Sequence, residues 1–258
     1  MREFLEDAHQ HRDDGYGRAQ RQLNANLPRR FYKEVGVGEV GTGFAVTLDG
    51  KTPRTPGQKP VVVPHRPIAE EMAAEWAMQA AMIDPEHMPV VRLINSALDA
   101  GDERVPALQA ELVKYAANDL LLYRAESPQS LVAEQEKHWD AALVKLARHF
   151  GIGFQPTVGI LHQPQPKPTL DRLTQAVADI GLIESVAMVS LVGITGSGLL
   201  VIAHREGLLD AEDVWSAAHV DEDHNIRLWG AVDEATTRRE KKRVDYDAAL
   251  KVLEATRA

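Results

Sequence analysis

Residues 44–64 read FAVTLDGKTPRTPGQKPVVVP, and this stretch determines what the N-terminal part of the chain can form. Apolar residues alternate with small or polar ones from Phe44 to Asp49, which is the two-residue period of a β-strand. Asp49-Gly50 follows directly and is a strong hairpin turn signal. Three prolines confine the next segment to turns and edges. We therefore predict short strands in RFYKEV (30–35), FAVTLDG (44–50) and KPVVVP (59–64).

The hydrophobic period changes at Pro67. The segment 67–82 begins with a proline, a residue favoured at helix starts, and it places Ile68, Met72 and Trp76 on one face. Further helical patterns follow, and a Pro/Gly-rich segment at 151–168 is typical of an extended strap. Helices are predicted over 90–100, 105–123, 129–150, 169–180, 182–203, 210–229 and 233–256.

Strands followed by helices indicate the α+β class. We expect a small β-rich N-terminal domain followed by an all-helical C-terminal domain. The predicted boundaries are a polar N-terminal arm over 1–28, the β-rich domain with its helices over 29–125, and the helical domain over 126–258.

The sequence GVGEVG at Gly36–Gly41 matches the glycine fingerprint of dinucleotide-binding loops. That loop must open a helix, whose N-terminal amides meet the pyrophosphate. Here a second strand follows instead. We therefore interpret Gly36–Gly41 as a turn in a β-meander, and keep nucleotide binding as the alternative.

Composition and charge exclude several classes of function. The chain has 258 residues, no cysteine and a formal net charge of −9. Disulfides, thiolate zinc sites and cysteine nucleophiles are excluded, and an acidic protein has no general attraction to nucleic acid or anionic lipid. The first 30 residues lack an apolar signal region and contain several acidic residues, so neither a signal peptide nor a transit peptide is predicted. We expect a cytoplasmic protein of bacterial type, monomeric, without nucleic-acid partners or membrane insertion.

The apolar segment 185–203 is nearly long enough to span a membrane. It contains serine, threonine and three glycines, and a helix buried in a helical domain is the better interpretation. Its GITGSG sequence, within Gly193–Gly198, has the glycine spacing of a P-loop. Leucines follow where that motif requires Lys and Ser/Thr, so the motif fails.

No catalytic set is apparent. The ten histidines are scattered, and His219 and His224 are five residues apart rather than the four that places two metal ligands on one helix face. We therefore predict no cofactor and no metal, and a solvated acidic helix around these histidines.

The same segment, VWSAAHVDEDHNIRLWG at 214–230, permits a second interpretation. Acidic side chains next to a stripe containing Trp215 and Trp229 are typical of a partner interface, where Trp anchors contribute most. The alternative is that both tryptophans are core residues and the acids face solvent.

The blocks LDGKTPRTP, EWAMQ and DLLLYRAE, in this order, resemble the family of assembly chaperones for the α subunit of F1-ATPase. The resemblance covers roughly residues 29 to 232 and is weaker in ITGSGLLVIA and RLWG. Among the residues in the matching blocks, we expect structural roles for Asp49, Gly50, Thr55, Pro56, Glu75, Trp76, Arg92, Asn95, Asp119, Tyr123 and Arg124.

The resemblance implies that the protein is not an enzyme. It implies a chaperone that binds the unassembled α subunit and covers its β-facing surface until a β subunit replaces it. It also implies a β-rich domain before a helical one, and no nucleotide role for Gly36–Gly41. The candidate partner-binding residues are Asp221, Glu222, Asp223, Asn225, Trp229 and Glu234.

The C-terminal part departs from the family pattern. Family members tend to have Glu at positions 221 and 223, Gln at 225, and a histidine after the WG that is missing here. Two other functions stay open at this point. One is a nucleotide-dependent enzyme that uses Gly36–Gly41 or Gly193–Gly198, and the other is a general scaffold for helical partners.

Overall fold

The computed structural model describes residues 27–257 and has the predicted α+β architecture. Strands β1 (Val35–Val40), β2 (Gly43–Leu48) and β3 (Val62–Val63) form an antiparallel sheet in sequence order, with Val35 opposite Leu48. The short strands β4 (Tyr123–Arg124) and β5 (Thr157–Val158) pair in parallel.

The Asp49-Gly50 turn is confirmed. Both residues have positive φ, 48° and 77°, the conformation that the Asp-Gly turn of a hairpin requires. The Asp49 carboxylate accepts the backbone amides of Lys33 and Glu34, at 3.0 and 2.8 Å, and so holds the chain that leads into β1. These two amide donors are the main reason why the pKa of Asp49 is lowered.

The predicted turn at Gly36–Gly41 is wrong, because these glycines lie mostly within β1. The turn itself is at Gly41-Thr42, and Gly41 has a φ of 60°. A side chain at Gly36 would lie only 3.1 Å from Thr47 Oγ1 on β2. The hairpin strands therefore approach closely at Gly36, which a strand glycine allows. The strand predicted over 30–35 correspondingly begins later, at Val35.

Eleven α-helices lie within residues 27–257, and none of them combines the length and apolar character needed to cross a bilayer. A π-helical turn, Glu136–Asp140, joins the helices Gln129–Gln135 and Ala141–Phe150 into one continuous rod, close to the single helix predicted there. The helices are α1 (Arg66–Met78), α2 (Pro89–Ala100), α3 (Val105–Ala117), α4 (Gln129–Gln135), α5 (Ala141–Phe150), α6 (Lys167–Ala176), α7 (Leu182–Thr195), α8 (Gly198–Arg205), α9 (Ala211–Ala218), α10 (Val220–Trp229) and α11 (Asp233–Ala255).

Two predicted single helices are each broken into two. The break in 182–203 comes at Gly196, whose left-handed φ of 72° ends α7, and the Ser197 hydroxyl then accepts the Leu200 amide to cap α8. The break in 210–229 comes at His219. Its buried ring donates from Nδ1 to the Trp215 carbonyl at 2.8 Å, and this carbonyl is the one that a continuous helix would pair with the backbone amide of His219.

One apolar core joins the sheet to the helices. The C-terminal helix α11 packs mainly on α7, and α7 also packs on α3 and α2. Trp139 is buried in the helical part and donates from Nε1 to the Ala217 carbonyl at 2.7 Å. The buried face of the helical segment 129–150 includes Gln135, Leu143 and Leu146.

Two of the predicted motif residues cap helices from a distance. Glu75 on α1 is buried and accepts the amides of Val90 and Val91 at the start of α2, both at 2.8 Å. Burial raises the pKa of Glu75 despite these donors. Asp119 does the same for the start of α8, where its Oδ2 accepts the Leu199 amide at 2.8 Å.

The arginines among the motif residues form ion pairs between elements. Arg92 on α2 pairs with Asp245 on α11 at 2.6 Å, and Arg124 reaches Asp140 and lies over the Trp139 ring. Of the other motif residues, Asp49 and Gly50 form the hairpin turn. Thr55 donates a hydrogen bond to Asp99, and the neighbouring Pro56 is exposed. The side chains of Trp76, Asn95 and Tyr123 are half-buried.

We expect Gly198→Ala to destabilise the fold by about 1–3 kcal/mol, the usual cost of overpacking. An added Cβ would lie 2.8 Å from both the Leu112 carbonyl oxygen and the Ala116 amide nitrogen of α3, and backbone atoms cannot move aside cheaply. Urea unfolding measures the loss.

Gly193→Ala is the matched control, because it changes another glycine of the same segment. Gly193 lies inside α7, is exposed and has open space around it. Alanine should stabilise the helix there by up to about 1 kcal/mol. Equal effects of the two substitutions would contradict the close α3–α8 contact.

Candidate partner-binding surface

The six predicted partner-binding residues fall on α10 and the first turn of α11. Residues 227–238 comprise the end of α10, the connection and the start of α11, and all of them are exposed. We call this segment the α10–α11 corner. It contains the predicted Trp229 and Glu234. The remaining four, Asp221, Glu222, Asp223 and Asn225, lie on the preceding turns of α10.

The structure separates the two tryptophans that the sequence pattern grouped together. Trp215 is 8% exposed and packs against His219 and Tyr246, with ring centroids 4.0 and 5.0 Å away. Trp229 is 83% exposed. The core interpretation is therefore right for Trp215 and wrong for Trp229. The two residues lie on different helices, Trp215 in α9 and Trp229 at the exposed C-terminal end of α10.

The acidic residues have different surroundings. Asp221 is exposed and accepts a hydrogen bond from Gln135 Nε2 at 2.9 Å, while Asp223 forms an ion pair with Arg239 of α11. Glu222 has no ion-pair partner within residues 27–257. All three acids lie in the first turn of α10, where the helix dipole stabilises negative charge. They thus have a local structural role in addition to any partner contact.

Two arginines fix the base of the corner to the body. Arg239 and Arg243 of α11 lie over the Trp215 ring, with guanidinium carbons 5.8 and 5.0 Å from its centroid. Arg243 also pairs with Glu212, and this hydrogen bond lowers the pKa of that carboxyl. The corner therefore extends from an anchored helix pair rather than from a loop.

Sequence reasoning missed two apolar residues of the corner. Leu228 and Val232 are 57% and 66% exposed on either side of Gly230, which ends α10 with a φ of 81°. Together with Trp229 they give the corner three large exposed apolar side chains, which we call its apolar patch. The WG pair signals the helix end, but an apolar residue at a helix end is buried or exposed according to the neighbouring elements, which the sequence pattern does not show.

The two histidines of this region are buried, so the predicted solvated helix is wrong for them. Burial lowers the pKa of His219 and favours its neutral form, in keeping with its hydrogen bond to the Trp215 carbonyl. Within the described part of the chain, no group of His, Asp and Glu residues is arranged to hold a metal ion.

The glycine segments do not have the geometry of phosphate loops. Gly36–Gly41 leads from β1 into β2, not into a helix. At Gly193–Gly198, the amides that begin α8 already have acceptors, because Leu199 donates to Asp119 and Leu200 to Ser197. A carboxylate thus occupies the position at which a P-loop helix would receive phosphate.

Comparison with known proteins agrees with this fold. The family model described as ATP12 chaperone protein matches residues 29–147. A proposed chaperone from Agrobacterium tumefaciens has a solved structure that is 37% identical, with a TM-score of 0.86, covering 89% of this chain and 87% of that one.

Two further relatives are themselves named Atp12. The crystal structure of Atp12 from Paracoccus denitrificans is 31% identical, with a TM-score of 0.79, over 88% of this chain and 97% of that one. The mitochondrial protein atp12 of Schizosaccharomyces pombe is 21% identical over 80% of this chain and 75% of its own length. The identity of 31% to the Paracoccus protein, over 97% of that protein, shows that the chain belongs to the ATP12 chaperone family.

Proposed function

We propose that this chaperone binds the unassembled α subunit of F1-ATPase and shields the surface that later meets the β subunit. Its role ends when β takes its place, and it carries out no chemical reaction. The observation that carries the proposal is the α10–α11 corner, a run of twelve exposed residues with three apolar side chains on an anchored helix pair. Membership of the chaperone family supports it.

The composition of this surface suits a temporary complex. Single subunits of a larger assembly expose apolar surface, and such surface aggregates unless it is covered. An apolar centre of Leu228, Trp229 and Val232 with an acidic rim can cover part of it. A small apolar centre limits the affinity, so that a larger and more complementary β interface can displace the chaperone.

The acidic residues have a second role in this proposal. Asp221 and Glu222 place negative charge on the first turn of α10, and Asn225 is exposed on the same helix, while Asp223 and Glu234 pair with Arg239 and Arg238. Charge complementarity mainly accelerates encounter and selects the partner. We therefore infer that the surface bound on the α subunit is basic around an apolar site.

The test is co-purification of the tagged chaperone with α and β subunits, each expressed alone and then together. Capture of α alone, followed by its release when β is added, is the expected result. Capture of β, or of unrelated helical proteins to the same extent, would refute the assignment to α. Light scattering on the same samples checks the proposed monomeric state of the free chaperone.

We expect the double variant Asp221→Lys/Glu222→Lys to slow capture of the α subunit about tenfold at low salt. Rim charges act mainly on the association rate, and the effect should shrink in 1 M salt, where the screening length is about 3 Å. Stopped-flow association at two salt concentrations measures this. Asp223 is left unchanged because it holds Arg239.

Asp213→Lys is the matched control, since Asp213 is exposed in the first turn of the neighbouring helix α9. It changes helix-dipole electrostatics in the same direction, with half the change in net charge, but lies outside the proposed surface. If it slows capture as much as the double variant does, net charge rather than the α10 surface governs association.

A further inference from the structure

A groove of about 690 Å³ lies between α1 and α11, and the start of α2 also lines it. None of the corner residues 227–238 belongs to it. Its α11 wall runs from Lys241 to Lys251, about 15 Å at 1.5 Å per residue, which is the length of about three helical turns. The apolar side chains that line the groove are Ala74, Met78, Pro89, Val90, Val244 and Ala248.

The three elements around the groove are linked to one another. The buried Glu75 of α1 accepts two backbone amides at the start of α2. Arg92 of α2 pairs with Asp245 of α11 at 2.6 Å, and Lys251 of α11 pairs with Glu71 of α1 at 2.8 Å. The groove is therefore formed before any partner arrives, and a preformed site loses less free energy to ordering when it binds.

The apolar walls of the groove are open to solvent. Met78 on the α1 wall is 73% exposed, and Val244 on the α11 wall is 51% exposed. Small-molecule sites bury most of their ligand, which a groove with such exposed walls does not do. An open apolar groove between two helices fits the mode in which an amphipathic helix places one face between them.

The charge of the groove indicates the charge of its partner. Carboxyl side chains outnumber basic ones in the lining, with Glu71, Glu75, Glu86, Asp245 and Asp247 against Arg92, Lys241 and Lys251. The pairs of Glu71 with Lys251 and of Glu86 with Lys241 are exposed, and exposed pairs contribute little to stability. Lysine or arginine side chains of a partner can therefore pair with Glu71 and Glu86, and the excess negative charge favours a basic partner.

The groove continues the surface of the α10–α11 corner along one face of α11. Glu234, Thr237 and Arg238 of the corner precede Lys241 by seven, four and three residues, the spacings that place residues on the same helix face. The helix α11 is uninterrupted from Asp233 to Ala255, and Glu234 is about 10 Å from Lys241 along it at 1.5 Å per residue. A partner bound at the corner can therefore extend into the groove along a single helix.

We propose that the α1–α11 groove binds an amphipathic helix of the α subunit, with an apolar face that enters the groove and basic side chains along its edges. The inference rests on the proposed function and adds a second contact to it. Two contacts on one rigid molecule bind more tightly than either contact alone, because the second forms within the complex that the first has made.

We expect Met78→Asp and Val244→Asp each to weaken equilibrium binding of the isolated α subunit at least tenfold, because each places a charge on an apolar wall. Val144→Asp is the matched control and should change nothing, since Val144 is a similarly exposed valine on α5, outside the groove. Unchanged urea midpoints show that all three variants fold. If the unmodified protein binds α and both groove variants bind it equally well, the groove inference is wrong while the proposed function stands. If the unmodified protein binds no α subunit, the proposed function itself fails, and this occupant of the groove with it.

A crosslinking experiment identifies the occupant without changing the charge of the groove. The chain has no cysteine, so Val244→Cys can carry a benzophenone maleimide at a single position, with Val144→Cys as the control. We expect at least ten times more photocrosslinked α subunit from position 244 than from position 144. Mass spectrometry of the product should find an α-subunit peptide with apolar residues at i, i+3, i+4 and i+7 and with Lys or Arg beside them. Equal crosslinking from the two positions, a crosslink to a second chaperone molecule, or an acidic peptide without this spacing would overturn the proposal.

Discussion

Asp119→Ala is expected to destabilise the protein by about 3–5 kcal/mol, because three buried donors lose their acceptor at once. The Asp119 side chain is fully buried and accepts three hydrogen bonds. The donors are the Leu121 amide at 3.1 Å, the Ser197 hydroxyl at 2.7 Å and the Leu199 amide at 2.8 Å. Alanine leaves these buried donors without an acceptor, and each costs about 1–3 kcal/mol before relaxation. Urea unfolding followed by circular dichroism measures the loss.

Asp84→Ala is the control for this substitution. Asp84, like Asp119, caps the start of a short 3₁₀ helix. It accepts the Glu86 amide at 3.0 Å, but its carboxylate is partly exposed. Water can replace the lost acceptor there, so we expect the loss of an ordinary cap, about 0.5–2 kcal/mol. Similar losses for the two variants would contradict the role of burial at Asp119.

The pH dependence of stability gives a second readout of Asp119. Burial raises its pKa to about 7 from the ordinary 3.8, against the three donors that favour the charged form. Between these two values the folded state binds a proton that the unfolded state has lost. The stabilising contribution is therefore fully present below pH 3.8 and is lost as the pH rises through 7. Asp119→Asn does not titrate at this position, and its unfolding free energy should fall less between pH 5 and pH 7.5 than that of the unmodified protein.

Trp229→Ala is expected to weaken capture of the α subunit about thirtyfold or more, the effect typical of a tryptophan hot spot at 2 kcal/mol or above. Trp229 belongs to the apolar patch of the α10–α11 corner and is 83% exposed, so its removal should leave folding stability within about 0.5 kcal/mol. Equilibrium binding to the isolated α subunit and urea unfolding together separate the two effects.

Ile160→Ala is the matched control for Trp229→Ala. Ile160 is an equally exposed large apolar residue, but it lies in the strap between α5 and α6, away from the α10–α11 corner in sequence. It should change neither capture nor stability. If Trp229→Ala leaves capture unchanged while Ile160→Ala weakens it, the client surface is on the strap and not on the corner.

The sequence by itself determined the local elements, because each has a local physical cause. The Asp49-Gly50 turn follows from the positive φ that these two residues tolerate, and the helix start near Pro67 follows from proline geometry and the change of period. The order of strands before helices was enough for the fold class. The family resemblance came from the ordered blocks of residues, and it gave the expectation of a chaperone.

Only the tertiary structure decided which residues of the candidate site are available to a partner. Trp215 and Trp229 are the same residue type in one apolar pattern, yet one is packed between Tyr246 and two arginines while the other faces solvent. They lie on different helices, which separate at His219, and the end of α10 that carries Trp229 is exposed. Asp119 and Glu75 likewise cap helices that begin far away in the chain or on another element. Contacts of this kind join residues that are far apart in the periodic pattern. Only the packed structure therefore shows which of these side chains are buried and which groups they contact.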